Sequence, residues 1–395
     1  MAFLKTVRVR DYRSARDVEL ELGAVTALVG EARSGKSNLL RAVRALLDPD
    51  APPPSREDLR GRADELSIEA LLSDGRRIGL AAHPPAQPRI RRRGAPPVLF
   101  LPAARRSGPL LELDGYSDAA EDAVRRFRSA LRDPPERRSD SAGASALVAG
   151  IDACCEADIT GAVFLVEEPE LFLRPHTQRY LYRRLRALAG RGNQVLYSTH
   201  APAFLNVARL EELVLVRYSA RRGTHIVQPK PLDADEAFRV VSEFDAERSE
   251  LFLARAAILV EGRTEKLVLP SVFAALGYDA DRAQISIVEC GGKSNIPVFA
   301  RTCKACRIPF VVVHDRDAPP GEQPIPAEVM LNRLIASIAG RDRTVVLEPD
   351  FEGVTGLRGH TNKPERAWNH FAAEGVTVPA PLERAVRLAL RAAAR

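Results

Sequence analysis

Residues 25–41 read VTALVGEARSGKSNLLR. The apolar run VTALV stops at Gly30, GEARSGKS (30–37) fits the spacing G-x-x-x-x-G-K-S, and KSNLLRAVRALLD continues with apolar residues at helical spacing. A short buried strand, a glycine-rich loop and a helix in that order make a phosphate cradle. Gly30 and Gly35 permit the tight turn whose backbone N–H groups wrap phosphate at a helix N-terminus. Lys36 is placed to reach the β- and γ-phosphates, and the Ser37 hydroxyl to help hold Mg2+. The expectation for this part of the chain is an α/β fold that binds ATP.

On the N-terminal side, LKTVRVRDY and DVELELGA alternate as strands do. On the C-terminal side, DPDAPPPS (48–55) is a turn-rich break, and DELSIEALLSDGRRIGLAA reads as two strands around an Asp-Gly turn. AHPPAQPRIRRRGAPP (82–97) is an exposed loop, VLFLPA a strand, and the stretch to about 157 is rich in helix. AVFLVEE and QVLYSTH are buried strands separated by the helix HTQRYLYRRLRALAG, which argues for a parallel sheet. Residues 217–232 supply a connecting strand pair at most. In VFLVEEPE, Glu167 stands where a Mg2+-associated carboxylate belongs, and Glu168 is placed to polarise the attacking water. His200 ends VLYSTH, in position to sense the γ-phosphate.

These three motifs, in this order, resemble the ABC-type ATPases of the SMC and RecF branch over residues 1–217. The resemblance implies a signature loop ahead of the second acidic motif. SDSAGAS (139–145) fills that slot, with Ser141 and Gly143 in register. It further implies a nucleotide held between two copies of the chain, Ser141 of one facing the phosphates of the other, and so a homodimer through this domain. Ala32-Arg33 replaces the usual Asn-Gly and the signature is degenerate, departures that bear on the rate of hydrolysis more than on binding. The insert between loop and signature leaves no room for a long coiled coil.

A second alternation begins at 256: AAILVEG, helix, ISIVECGG, helix, PFVVVHDRD. The expected organisation is an ATPase domain over 1–230, a linker helix region over 231–255, a smaller α/β domain over 256–370 and a C-terminal helix over 371–395. Glu261 ends one buried strand, and Glu265 follows one helical turn later on the same side. Asp315 and Asp317 are expected to project from the end of the third strand on one face, because side chains alternate. In an open parallel sheet the crevice lies at the strands' C-terminal ends, so Glu261 and Asp315 converge although 54 positions separate them. Hard oxygen ligands without a nearby cysteine or histidine ligand favour Mg2+ or Mn2+ over zinc. Two cations about 3.5–4 Å apart would activate water and stabilise a leaving oxygen in phosphodiester hydrolysis.

This glutamate-then-DxD layout resembles a Toprim domain. An SMC-like ATPase followed by Toprim is similar to the OLD (overcoming lysogenisation defect) family of ATP-dependent nucleases, over roughly residues 1–370. The resemblance implies a late acidic residue completing the metal site, for which Glu352 and Asp350 are the candidates, and a late lysine near the scissile phosphate, for which Lys363 is the candidate.

Other features read more plainly. Only seven of the 58 basic residues are lysine, so the net charge of +6 reflects an arginine-rich composition rather than a nucleic-acid surface. Residues 85–140 hold twelve arginines against eight acids, a solvated face or a DNA-facing one, and Arg105 and Arg106 end a strand that could aim at phosphate. Cys303-x-x-Cys306 lacks a second pair for zinc; both are expected on one helix with one buried, and Cys154 and Cys155 in the core. His314, at a strand end, reads either as a residue that orients a metal ligand or as a solvated one. An odd number of cysteines, a start without an apolar signal core and no apolar run of roughly 18 residues give the expectation of a cytoplasmic protein without a membrane span. The leading expectation is a DNA endonuclease with ATP and two divalent cations, RNA remaining a possible substrate; the alternative is a nucleotide-switched DNA-binding ATPase without cutting. With no zinc module or tyrosine-bearing strand-passage domain, primase and topoisomerase are disfavoured.

Overall fold

The computed structural model describes residues 2–102, 141–205, 207–230, 243–245, 247–318, 322–357, 362–373 and 375–394. Two compact units divide the chain, Met1–Pro229 and Lys230–Arg395.

The first unit holds one eleven-stranded sheet. Its strands are β1 (Leu4–Tyr12), β2 (Ala15–Glu21), β3 (Val25–Val29), β4 (Leu66–Leu72), β5 (Arg77–Ala82), β6 (Arg89–Arg91), β7 (Val98–Leu101), β8 (Val163–Glu167), β9 (Gln194–Thr199), β10 (Leu213–Ser219) and β11 (Gly223–Val227). The order across the sheet is β6-β5-β4-β1-β2-β11-β10-β3-β9-β8-β7. β10, β3, β9, β8 and β7 run parallel, whereas β6, β5, β4, β1 and β2 pair antiparallel. Every residue of β3, β7, β8 and β9 is buried, as strands covered on both faces require. β1 and β2 instead bury one face through Leu4, Val7, Val9, Tyr12, Ala15, Val18 and Leu20. Helices α1 (Lys36–Leu47), α2 (Ser141–Glu156) and α3 (Pro175–Gly190) accompany the parallel wing.

β8 and β9 run parallel, as their sequence predicts, within a sheet that is mixed as a whole. The expected connecting strand pair is β10 and β11: β10 lies against β3 in the middle of the sheet, and β11 touches β2. The apolar run Leu213–Val216 is fully buried there. A run that short carries no period of its own, and its place depends on β3, far away in sequence.

The second unit is a four-stranded parallel sheet of β12 (Ala256–Val260), β13 (Ile285–Glu289), β14 (Phe310–Asp315) and β15 (Thr344–Leu347), in the order β13-β12-β14-β15. Its helices are α4 (Arg263–Ala275), α5 (Ile296–Ala305), α6 (Pro326–Ala339), α7 (Phe351–Thr355), α8 (Lys363–Phe371) and α9 (Ala380–Ala393). One sheet face, with Ile258, Val260, Val311, Val313 and Leu347, packs with Val268 and Phe273 of α4, Phe371 of α8 and Val386 of α9. The C-terminal helix is thus part of this core. Alternation turns Phe310, Val312 and His314 to the other face, where α5 and α6 pack on β14.

Both Cys303 and Cys306 are buried, not one of them, and all five cysteines are unbridged. Cys303 lies in α5 and Cys306 one residue past its end, and burial drives the Cys303 thiol pKa well up. The described part of the expected linker helix region holds a short 3-10 turn, Arg248–Leu253, and 231–242 lie outside the described residues. Among the described residues no helix is long and apolar enough to cross a membrane.

Candidate nucleotide and metal sites

α1 begins at Lys36 with Gly35 as its cap, and a glycine has no side chain to occupy the helix's first N–H groups. Those donors are left for an anion. Gly35 has φ 108°, and a Cβ there would meet Thr224 Oγ1 at 2.1 Å; one at Gly30 would meet the Val216 carbonyl oxygen at 2.0 Å. Only glycine fits either position. The loop is braced from β11 and from the turn between β1 and β2: Thr224 Oγ1 lies 2.8 Å from the Ser34 carbonyl oxygen and 2.7 Å from Ser14 Oγ, which accepts from Asn38 Nδ2 at 2.7 Å. Ser37, second residue of α1, is half-buried beside this brace.

Lys36 is buried, and its Nζ donates to the carbonyl oxygens of Gly30 and Glu31, both at 2.8 Å, and lies 3.0 Å from His200 Nε2. Burial pushes its pKa down to about 8, against the pull of Glu168, Glu170 and Glu31. Glu167, at the tip of β8, is buried with Arg41 Nε 3.5 Å from its Oε1. Glu168 takes a left-handed φ of 43°, uncommon outside glycine, while its N–H donates to the Ser198 carbonyl at 3.0 Å. That turn brings Glu168 Oε1 to 3.4 Å from His200 Nε2. Glu167, Glu168, Lys36 and His200 are therefore brought together at one loop. Ser141 and Gly143 fall in the first turn of α2, and their side chains lie outside the described residues, as do Arg105 and Arg106.

Glu170 was not singled out by the sequence. It is buried, and its Oε1 accepts the His200 backbone N–H at 2.6 Å, fixing the residue whose ring meets Lys36. The only signal was its place as the third acid of EEPE.

In the second unit the strand tips carry the acids. Asp315 ends β14 on the α4 side of the sheet, and its N–H lies 3.5 Å from Glu261 Oε2. Its Oδ1 is buried without a hydrogen-bond partner. Glu265, in the first turn of α4, is buried as well. Burial, then Glu265, Glu261 and Asp317, push the Asp315 pKa up to about 8. Burial, then Asp317, push Glu261 up to about 7. Burial also raises Glu265. Lys363 Nζ pairs with Glu352 Oε1 at 2.5 Å, and Asp350 caps α7 through a 2.7 Å bond from the Gly353 N–H.

Two readings of this region are corrected. Asp317 does not share a strand face with Asp315: β14 stops at Asp315, and Asp317 lies beyond it with φ 58°. Its N–H donates to the Pro349 carbonyl at 3.2 Å and its carboxylate meets Lys293. His314 is not solvated but 1% exposed, its Nδ1 2.8 Å from the Asp315 carbonyl oxygen.

Among the described residues no three His, Cys, Asp or Glu side chains form a ready-made coordination shell. Glu261, Glu265 and Asp315 form a cleft of mutually repelling carboxylates instead. The donor set still fits a hard divalent cation, because it offers only oxygen and Asp315 Oδ1 is buried without a partner.

This crowding has a measurable consequence. The folded pKa values of about 8 and 7 exceed the unfolded carboxylate value of about 4. The folded chain thus keeps protons the unfolded chain has released. The stability these groups contribute is complete below about pH 4 and is lost as the pH rises through 7 and 8. In chelator, the melting temperature should fall between pH 5 and 8.5 more steeply for the wild type than for Asp315→Asn. Discounted for screening, the difference is about 1–2 kcal/mol, or roughly 2–8 °C. Equal slopes by calorimetry would contradict the raised pKa.

Residues 252–317, which carry Glu261, Glu265, Asp315 and Asp317, match the family described as "Overcoming lysogenization defect protein-like, TOPRIM domain". The second unit carries an OLD-like Toprim domain. Residues 117–206, ahead of this Toprim unit, match the family described as "AAA domain, putative AbiEii toxin, Type IV TA system". The chain is 36% identical to the OLD nuclease of Thermus scotoductus over 245 residues, 56% of this chain and 46% of that protein. It is 25% identical to the Old nuclease of Escherichia phage P2 over 168 residues, 41% of this chain and 29% of that protein. The matched stretches span less than half the length of these curated relatives. Among solved structures, an Smc head domain derived from Pyrococcus furiosus is 11% identical with a TM-score of 0.44, over 62% of this chain and 99% of that one.

Proposed function

We propose that this chain is an ATP-dependent nuclease that hydrolyses DNA with a divalent cation, Mg2+ or Mn2+, at the Toprim cleft. The observation that carries the reading is Asp315: a buried carboxylate oxygen without a partner, at a strand tip, beside Glu261 and Glu265. A bound cation would lower the pKa of a water and polarise a phosphodiester oxygen. Glu261, Glu265 and Asp315 would hold it. Lys363, tethered to Glu352 at the cleft's rim, would meet the scissile phosphate as a point charge. In the first unit Gly30, Gly35, Lys36 and Ser37 would hold the nucleotide, Glu167 its Mg2+ and Glu168 the attacking water, with His200 against the γ-phosphate. Two copies would close on nucleotide through Ser141 and Gly143, in the cytoplasm.

The test is incubation of the full chain with supercoiled, linear and single-stranded DNA and with RNA, in Mg2+, Mn2+ or chelator, with and without ATP. Nicking of supercoiled DNA is expected in either cation and none in chelator. Cutting of RNA alone would move the substrate class, and no cutting under any condition would leave a nucleotide-switched DNA-binding protein.

A further inference from the structure

β14 divides the Toprim cleft into two sides. On the α4 side stand Asp315 and Glu265, whose pKa values are raised by burial and crowding. On the α5 and α6 side stands Lys293, which follows the turn Gly291-Gly292, whose φ values of 73° and 125° bend the chain back toward β12. There the Gly292 N–H donates to the Glu261 carbonyl at 2.9 Å. The Lys293 side chain is only 5% exposed, and its Nζ donates to Asp317 Oδ2 at 2.6 Å and to Glu328 Oε2, on α6, at 2.8 Å. A buried ammonium is costly unless charges and hydrogen bonds compensate it; here two carboxylates do so.

We infer that Lys293 occupies, as a built-in cation, the place where Asp317 and Glu328 would otherwise bind a metal ion, so that the cleft takes one divalent cation rather than two. The position suits this role: a compact ammonium donates to, and places a positive charge against, the same carboxylate oxygens that would ligate an ion. Lys293 also stands near enough to Glu261 to oppose the rise in its pKa, as a second cation would. Asp317 then serves as the joint between the sides, its carboxylate held to Lys293 while its charge bears on both Asp315 and Glu261.

The inference rests on the metal-dependent reading above, and its test counts ions without needing activity. Mn2+ bound to the full nucleotide-free chain is measured from loss of the free-ion resonance, with Asp315→Ala as baseline. The wild type is expected to bind one ion per chain above that baseline, Lys293→Met two, and Lys293→Arg one. Adding Asp317→Asn to Lys293→Met should return the count to one. Two ions in the wild type, or one in Lys293→Met with native circular dichroism, would overturn the inference and leave the nuclease reading standing. No ion in the wild type would overturn both. Should Lys293→Met not fold, the wild-type and Lys293→Arg counts still decide.

Discussion

Replacing Asp315 by alanine is expected to abolish metal-dependent nicking of supercoiled DNA while leaving the chain folded. Asp315 is the one strand-tip acid that faces Glu261 and Glu265 with a buried oxygen lacking any partner. Its loss removes a direct ligand. The fall in rate should therefore exceed the roughly 10–100-fold that loss of an outer-shell partner costs at metal sites. The substitution also relieves a crowded carboxylate, so the melting temperature in chelator should hold or rise at pH 8. Loss of activity with a lower melting temperature would indicate damage to the fold, whereas loss with equal or higher stability would assign the chemistry to the cleft. Cutting undiminished in Asp315→Ala would remove the cleft from the reaction.

The legible parts of this protein are those whose geometry is local. GEARSGKS spells its loop within eight residues, because the two glycines and the lysine are all set by one strand–helix turn. The acids were legible because AAILV and FVVV are apolar runs whose ends mark a sheet edge, where parallel strands deliver side chains to one crevice. What stayed hidden depends on packing between distant segments. Lys293 meets Asp317 across 24 positions and Glu328 across 35, the latter only because α6 lies on β14. Thr224 reaches Ser34 across 190 positions, which requires β11 to enter the sheet beside β2. The misplaced reading of Asp317 has the same origin: strand alternation was extended two residues past the end of β14, to a residue at which the backbone turns left-handed. Scarcity of lysine was a usable signal for Lys293, since a chain with seven lysines places one directly after Gly-Gly at a strand end.

Replacing Lys36 by alanine should separate the two phosphate chemistries. In the structure its ammonium holds the carbonyl oxygens of Gly30 and Glu31 and meets His200, so it organises the loop. ATP hydrolysis should fall by about 10²–10³-fold, the effect of deleting one preorganised donor at a developing charge, and nucleotide affinity should fall with it. Metal-dependent nicking should persist in the variant but lose its response to ATP, because Glu261, Glu265 and Asp315 belong to the other unit. The wild-type lysine adds a pH signature. Its pKa of about 8 means that part of the population is neutral at pH 8.5, and phosphate must then be bound with uptake of a proton. Nucleotide affinity should accordingly weaken as the pH rises from 7 to 9 in the wild type and stay flat in Lys36→Ala. Nicking that disappears in Lys36→Ala with native circular dichroism would mean that cutting requires an occupied nucleotide site rather than being modulated by it.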